Sequence, residues 1–226
     1  MTVTDTQRLA VTATEHHLTV QRTARYYTLG NLTERTKNVW FVLHGYGQLA
    51  QYFIRRFDVV QDDETLIVAP EGLSRLYLNG EYSKIGASWI TREDRDNEAR
   101  DYVAYLNQLY DTILQNHDTG KLNITLMGFS QGAATACRWL ANGHVQASRL
   151  LLWAGFFPNG IADVVTTDKL SGLQVDYVYG EHDEYIAQMP DPAAYLQRIQ
   201  TDVPHLTITP FNGGHTVERA VLKAVK

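Results

Sequence analysis

Short apolar runs alternate with longer segments of helical periodicity along most of the chain. Residues 39–43 are apolar at every position, which is typical of a strand that helices cover on both faces of a parallel sheet. Six further β-branched or apolar runs also predict strands. The predicted strands are residues 18–27, 39–43, 65–68, 124–127, 149–153, 175–179 and 206–209.

Helical periodicity is clearest between residues 97 and 115. Apolar side chains recur there at steps of three and four, which places them on one face of a helix. These side chains are Ala99, Val103, Leu106, Tyr110 and Ile113. Shorter helices are predicted over residues 131–140, 193–199 and 217–225. Strands that alternate with helices indicate right-handed crossovers, and therefore an α/β fold with a mostly parallel central sheet flanked by helices.

Two segments depart from this alternation. The first predicted strand precedes every helix, so we expect it in an antiparallel hairpin at the edge of the sheet. Residues 71–88 contain three glycines and several aromatic residues, and they fit neither a strand nor a helix. Because long ordered loops are often functional, we expect this stretch to be an irregular loop beside the functional site.

The composition supports one globular domain over residues 1–226. Hydrophobic residues make up 44% and charged residues 20% of the chain, which is ordinary for a folded protein and excludes a disordered one. The 20 Lys and Arg are outnumbered by 25 Asp and Glu, for a net charge of −5. With no basic block in the chain, nucleic acid is not an expected partner.

The cysteine content and the length of the apolar runs exclude further classes of protein. Cys137 is the only cysteine, which excludes intrachain disulfides and multi-cysteine zinc sites. Its place inside a predicted helix indicates a packed thiol. The longest apolar run, residues 150–157, is too short to span a bilayer, and the N-terminus does not resemble a secretory signal. We therefore expect a cytoplasmic protein with no integral membrane segment.

The motif GFSQG at residues 128–132 gives the strongest chemical indication. It follows an apolar strand and opens a helix, as a nucleophile elbow requires. Gly128 and Gly132 remove side chains where the tight turn would bring backbones together. Ser130 would then stand exposed at the helix N-terminus, whose dipole favours a developing negative charge. The alternative is an ordinary strand–turn–helix that happens to contain a serine.

A serine nucleophile needs a base, which in this fold class comes late in the chain. His215 lies on a glycine-rich loop after the last predicted strand, where it can reach across to Ser130. His205 stands at the start of that strand, where a solvated or packed histidine is the simpler interpretation. We therefore favour His215 as the base.

The acid that orients this base is expected between Ser130 and His215, at the end of a strand. Three carboxylates follow the strand 175–179, namely Glu181, Asp183 and Glu184. Asp183 is favoured, because the turn needs a residue or two before a side chain can aim at the histidine. The alternative is a solvated charged loop, which describes at least one of the three.

The loop His44-Gly45-Tyr46-Gly47 follows the buried strand 39–43 directly. A glycine-rich loop at this place can aim a backbone N–H at an oxyanion, and Gln131, the residue after the nucleophile, supplies the second N–H. Residues 45–50 also match G-x-G-x-x-A, a dinucleotide fingerprint. That alternative needs an acidic residue near the end of the next strand. The acidic residues Asp62, Asp63 and Glu64 lie before that strand instead.

Five motifs together resemble the phospholipase/carboxylesterase family of α/β-hydrolases, which includes small bacterial carboxylesterases and acyl-protein thioesterases. They are HGYG at 44–47, ASW at 87–89, GFSQG at 128–132, GEHD at 180–183 and GGH at 213–215. The resemblance covers about residues 38–226. It implies a compact α/β-hydrolase with no large cap domain and a triad of Ser130, Asp183 and His215. It also implies an oxyanion hole formed by the backbone N–H groups of Tyr46 and Gln131.

Three departures from the family pattern favour a general carboxylesterase over a thioesterase. Glu184 stands where such proteins often have proline, and Tyr46 stands where the thioesterases usually have an aliphatic residue. Ile90 and Thr91 follow Trp89, where the thioesterases have an aspartate.

These observations predict a serine hydrolase that cleaves carboxylic esters of short to medium acyl chains through an acyl-enzyme, without a metal or another cofactor. The expected partner is a small-molecule ester, and Tyr46, Tyr82 and Trp89 are the candidates for binding it. Acyl-protein thioesterase and lysophospholipase activity are the enzymatic alternatives. An inactive hydrolase fold that serves as a binding module is the non-enzymatic one, and a homodimer is compatible with the sequence.

Overall fold

The computed structural model describes residues 13–80, 82–115 and 117–226. A central sheet of seven strands runs through them, in the order β1-β3-β2-β6-β7-β8-β9. These strands are β1 (Tyr26–Leu29), β2 (Asn38–Leu43), β3 (Thr65–Pro70), β6 (Asn123–Phe129), β7 (Arg149–Trp153), β8 (Gln174–Gly180) and β9 (Thr207–Phe211). Strands β4 (Ser74–Tyr77) and β5 (Ile85–Ser88) form a separate two-stranded sheet.

All neighbouring strands of the central sheet are parallel except β1, which pairs antiparallel with β3 at the edge. The predicted α/β fold with an antiparallel N-terminal edge is therefore confirmed. The bounds of the first strand were wrong, since residues 18–25 form no strand and β1 begins at Tyr26. Its register runs from Tyr26 opposite Pro70 to Leu29 opposite Ile67, so β3 supplies partners only for these last residues. It is a single edge strand and not a hairpin.

The α-helices among the described residues are α1 (Ala50–Phe53), α2 (Arg95–Leu114), α3 (Gln131–Asn142), α4 (Thr167–Leu170), α5 (Glu184–Ala187), α6 (Pro192–Asp202) and α7 (Arg219–Ala224). Helices α2, α3, α6 and α7 lie where the sequence predicted helices, with bounds that differ by a few residues. The short helices α1, α4 and α5 were not predicted, because four residues are too few to show a period of 3.6. No helix among the described residues is both long enough and apolar enough to cross a bilayer.

Two hydrophobic clusters cover the two faces of the central sheet. Along β2, Val39, Phe41 and Leu43 belong to one cluster and Trp40 and Val42 to the other. Helices α2, α3 and α6 contribute to the first cluster, and α1 and α7 contribute to the second. This two-sided burial explains why residues 39–43 are apolar without alternation.

Residues 71–88 are not an irregular loop, which corrects the prediction. Strands β4 and β5 pair in register from Ser74 opposite Ser88 to Tyr77 opposite Ile85. The hairpin docks on the loop after β2, since Gly47 N donates to Ala87 O at 2.9 Å and Ala87 N donates to Gln48 O at 3.1 Å. Strand β5 thus contacts β4 on one side and, on the other, a loop about 40 residues earlier in the chain, and the local pattern did not show this second contact.

Candidate active site

Ser130 occupies a strained turn between β6 and α3. Its backbone angles are φ 53° and ψ −117°, a conformation that is costly for any residue with a Cβ atom. Added Cβ atoms at Gly128 and Gly132 would lie 2.2 Å from Gly132 O and Leu43 O respectively. The turn can therefore form only with glycine at both places. Ser130 N donates to Trp153 O at 2.8 Å, which ties the turn to the end of β7.

Asp183 and His215 form a hydrogen-bonded pair at the carboxyl ends of β8 and β9. His215 Nδ1 lies 2.6 Å from Asp183 Oδ2, and only 1% of the Asp183 side chain is exposed. The other carboxylate oxygen accepts a hydrogen bond from Tyr185 N at 2.9 Å. With both oxygens engaged, the carboxylate is held in one orientation and the imidazole is held through it.

The loop that carries His215 is fixed close to Ser130. The imidazole ring lies 4.8 Å from the ring of Phe129, the residue before Ser130. Trp153, whose carbonyl holds the Ser130 turn, donates its indole N–H to Thr216 O at 2.9 Å. Ser130 and the Asp183–His215 pair therefore lie at the same edge of the sheet.

The other candidates for acid and base lie elsewhere. Glu181 and Glu184 are exposed, and among the described hydrogen bonds neither contacts His215. His205 is exposed at the amino end of β9, whereas His215 follows its carboxyl end. The sheet is parallel here, so these two histidines stand at its opposite edges.

His44 is buried and holds the loop after β2, a role that the sequence analysis did not assign. Its Nε2 accepts a hydrogen bond from Gly72 N at 2.9 Å, and its Nδ1 lies 2.8 Å from Gly45 O. Because a carbonyl only accepts, the proton is on Nδ1 and the ring is neutral. Burial lowers the pKa of His44 to about 4.

Gln131 and Trp89 connect the turn at Ser130 to the hairpin. Gln131 Oε1 accepts from Trp89 N at 3.0 Å, and Gln131 Nε2 donates to Ile90 O at 2.8 Å. The Trp89 indole N–H donates to His44 O at 2.9 Å. The side chain of Gln131 thus positions the hairpin, while its backbone N–H lies in the first turn of α3, where no acceptor exists within the helix.

The backbone N–H groups around this loop differ in their partners. Gly45 N donates to Gln48 Oε1 at 2.9 Å and Gly47 N donates to the hairpin. Tyr46 N donates to no acceptor among the described residues. One N–H between two engaged neighbours is therefore left available at the place where the sequence predicts an oxyanion donor.

The three residues predicted to bind substrate differ in exposure. Tyr46 is 57% exposed and Tyr82 is 85% exposed at the tip of the hairpin, where its ring lies 4.9 Å from that of Tyr77. Trp89 is only 2% exposed, and its ring packs 5.0 Å from His44. Tyr185, which the sequence analysis did not name, lies 4.6 Å from the His215 ring and is exposed.

Two further groups bear on cofactor and thiol chemistry. Cys137 is fully buried, and burial raises the pKa of its thiol to about 12, so the predicted packed thiol is confirmed. Glu15, His17 and Asp94 form an exposed cluster whose ligand atoms lie within 4.8 Å of one another, the one such cluster in the part of the chain that the structure describes. None of its three residues belongs to the loops around Ser130.

A family model described as Phospholipase/Carboxylesterase matches residues 30–226 of this sequence. The chain belongs to this family. Members of the phospholipase/carboxylesterase family are α/β-hydrolases, which agrees with the sheet order and the turn at Ser130. A search of curated protein sequences finds no significant match to the chain.

Solved structures share the fold of this family member at low sequence identity. Acyl-protein thioesterase 2 of Zea mays is 16% identical with a TM-score of 0.63, and the match covers 90% of this chain and 96% of that one. The carboxylesterase of Bacillus cereus is 17% identical with a TM-score of 0.62, covering 89% and 91%. A phospholipase/carboxylesterase of Dyadobacter fermentans is 18% identical with a TM-score of 0.58, covering 90% and 94%.

Proposed function

We propose that this α/β-hydrolase is a serine esterase that cleaves small carboxylic esters of short to medium acyl chains. The observation that carries the proposal is the 2.6 Å contact between His215 Nδ1 and Asp183 Oδ2 beside the strained turn at Ser130. A buried carboxylate on Nδ1 leaves Nε2 as the imidazole atom that exchanges a proton with the nucleophile.

The proposed mechanism uses this chain's own residues at each step. Ser130 Oγ attacks the ester carbonyl while His215 Nε2 takes its proton, and Asp183 stabilises the imidazolium that forms. The backbone N–H groups of Tyr46 and Gln131 donate to the oxyanion. His215 then protonates the departing alcohol, and water hydrolyses the acyl-enzyme through the same base.

Substrate contacts are proposed at the exposed aromatic side chains. Tyr46 lies on the oxyanion loop and Tyr82 on the hairpin tip, so both rings can cover an apolar acyl group. Trp89 is buried, so we propose that it acts on the substrate through the His44 loop and the hairpin that it joins.

Labelling with a fluorophosphonate and kinetics on a p-nitrophenyl ester test the proposal. The probe should label Ser130, and Ser130→Ala should lower kcat by about 10⁴ or more. His215→Ala should have nearly the same effect, because triad members act as a unit. His205→Ala is the matched control and should retain activity. Loss of activity in His205→Ala with activity retained in His215→Ala would overturn the assignment of the base, and an unlabelled Ser130 would favour a binding module.

A further inference from the structure

A cavity of about 540 Å³ opens near the loop after β2, and none of Ser130, Asp183 and His215 lines it. Its walls come from the residues after β2, from α1 and the turn that follows it, and from the start of β5. The apolar part is formed by Tyr52, Phe53 and Ile85, and the polar part by Gln48, Arg56 and Lys84.

The cavity adjoins both loops of the proposed active site. Phe53 stacks on Phe129 with ring centroids 6.2 Å apart, and Phe129 in turn contacts His215. Arg56 Nη1 donates to Val217 O at 3.1 Å, two residues beyond His215. These contacts place the cavity next to the residues that flank Ser130 and His215 in the chain.

The charge of the cavity is positive, although the chain as a whole carries −5. Arg56 and Lys84 form no ion pair with a carboxylate among the described residues, and those that line the cavity include no acidic side chain. Asp58, which lies near Arg56 in sequence, pairs with Arg219 at 3.1 Å. Because no carboxylate neutralises these cations, they can bind an anionic group, and the apolar wall beside them can contact the rest of the ligand.

A third cation adds to this field. The guanidinium of Arg55 lies 5.0 Å from the ring centroid of Tyr52, and Tyr52 lines the cavity. Arg55 likewise has no carboxylate partner within the described part of the chain. An aromatic ring held under a cation is a suitable wall for the hydrocarbon part of a substrate whose end is charged.

We infer that this cavity binds a carboxylate group borne by the ester substrate, so that the preferred substrates are esters with a second, anionic end. The inference rests on the proposed esterase function and names its substrate class. Arg56 and Lys84 would bind the anion, and Tyr52 and Ile85 would contact the carbons between it and the ester.

Two pairs of esters of matched size test the inference. Monomethyl adipate is compared with methyl hexanoate, which places the charge on the acyl side. The second pair, 4-acetoxybutyrate and butyl acetate, places it on the alcohol side. The wild-type protein should show the higher kcat/KM for the charged member of at least one pair, and the preference should fall as salt rises, because salt screens exposed charges.

Substitutions then locate the preference. Lys84→Gln should lower the ratio of charged to neutral kcat/KM by about threefold to fivefold, as for one exposed ion pair, and the double variant with Arg56→Gln should lower it further. Lys84→Arg should keep the ratio. Lys169→Gln is the matched control, since Lys169 is an exposed lysine in α4, which precedes the amino end of β8. Equal use of charged and neutral esters in both pairs, or a preference unchanged in the double variant, would overturn the inference.

A binding measurement separates this inference from the esterase proposal. Binding of monomethyl adipate and methyl hexanoate to Ser130→Ala, followed by ligand-observed NMR, needs no turnover. Stronger binding of the charged ester that is lost with Lys84→Gln and Arg56→Gln would support the anion site even if the wild-type protein hydrolysed neither ester. Hydrolysis of neutral esters without any such binding preference would refute the anion site and leave the esterase function standing.

Discussion

At the scale of single residues, the most informative position is Ser130. Its backbone angles, φ 53° and ψ −117°, suit glycine and strain any other residue. The neighbouring glycines at 128 and 132 remove clashes and so permit the turn, but they do not relieve the strain at Ser130 itself. The protein therefore has a serine at a position where glycine would give the more stable turn.

Replacement of this side chain should trade activity for stability. Ser130→Gly should raise the free energy of unfolding by about 1 kcal/mol relative to Ser130→Ala, since glycine alone adopts these angles without strain and its extra flexibility offsets part of the gain. Urea denaturation of both variants measures the difference. Both lack the proposed nucleophile, so activity does not enter the comparison. Equal stabilities would show that the turn stores no strain.

At the scale of elements, the β4–β5 hairpin holds the loop that the proposed mechanism needs. Its second strand is bonded to Gly47 and Gln48, and its exit is bonded to Gln131. Glu71, at the start of the hairpin, is buried with Arg25 and Arg75 at 2.8 and 2.9 Å. Burial by itself would raise the pKa of Glu71, but hydrogen bonds from the two arginines outweigh it and lower the pKa. The carboxylate is thus charged and fixes the base of the hairpin.

The approach of the hairpin to the loop after β2 can be blocked at one glycine. A Cβ atom at Gly86 would lie 2.3 Å from Gly47 O, so Gly86→Ala must displace one backbone from the other. We expect kcat to fall by about 10²-fold or more, as when an oxyanion donor is lost, with a smaller change in KM. Gly80→Asn at the hairpin tip is the matched control, because a Cβ there meets nothing within 4 Å and Asn tolerates its positive φ. A variant with unchanged kcat would show that the loop does not depend on this contact.

At the scale of the whole molecule, the carboxyl edge of the sheet gathers loops that are far apart in sequence. The loops after β2, β6, β8 and β9 all begin at this edge, since these strands run parallel. The hairpin and α1 border the same edge, and the cavity with Arg56 and Lys84 lies between them. The walls of the proposed cleft are therefore formed by loops, the hairpin and the short helix α1.

Such a cleft predicts a limit to useful acyl length. Each buried methylene contributes about 0.8 kcal/mol, but only while the cleft covers it. We expect kcat/KM on p-nitrophenyl esters to rise from acetate to butyrate or hexanoate and then to level or fall, without activation by micelles. Trp89→Ala should affect the longer chains more than acetate, because it loosens the hairpin. A steady rise to palmitate would instead indicate a lipid channel.

Stability should depend on pH through His44. Burial lowers its pKa from 6.5 to about 4, so between these values the unfolded chain binds a proton that the folded protein does not. Protonation of His44 does not reduce the free energy of unfolding above pH 6.5. As the pH falls below this value the free energy of unfolding decreases, by about 3 kcal/mol at pH 4. Urea denaturation from pH 4 to 7 measures the slope. His44→Gln should flatten the slope between pH 4 and 6.5, whereas Glu71 acts only at lower pH because its pKa is lowered from 4.5. An unchanged slope in the variant would assign it to other groups.

Local chemistry by itself determined the strands of the central sheet, the four longest helices and the placement of the chemical motifs. The uniform apolarity of residues 39–43 follows from burial on both faces, which acts on each residue wherever its neighbours come from. The turn at Ser130 requires the glycines at 128 and 132, and all of these residues lie within five consecutive positions. The turn can therefore be predicted from a short local motif. Ser130, the three carboxylates and His215 each follow a predicted strand, so the sequence also placed all of them at strand ends.

Only the tertiary structure decided which groups meet. Glu181, Asp183 and Glu184 are alike in sequence, and the 2.6 Å contact selects Asp183 as the partner of His215 because the β8–β9 register brings that position into reach. The docking of β5 on Gln48 and the burial of Trp89 depend on contacts with residues about 40 positions away, which no local pattern encodes. The same holds for the cavity, since Arg56 and Lys84 line it together, and Arg56 bonds to Val217 O, only when the hairpin, α1 and the last loop pack against one another.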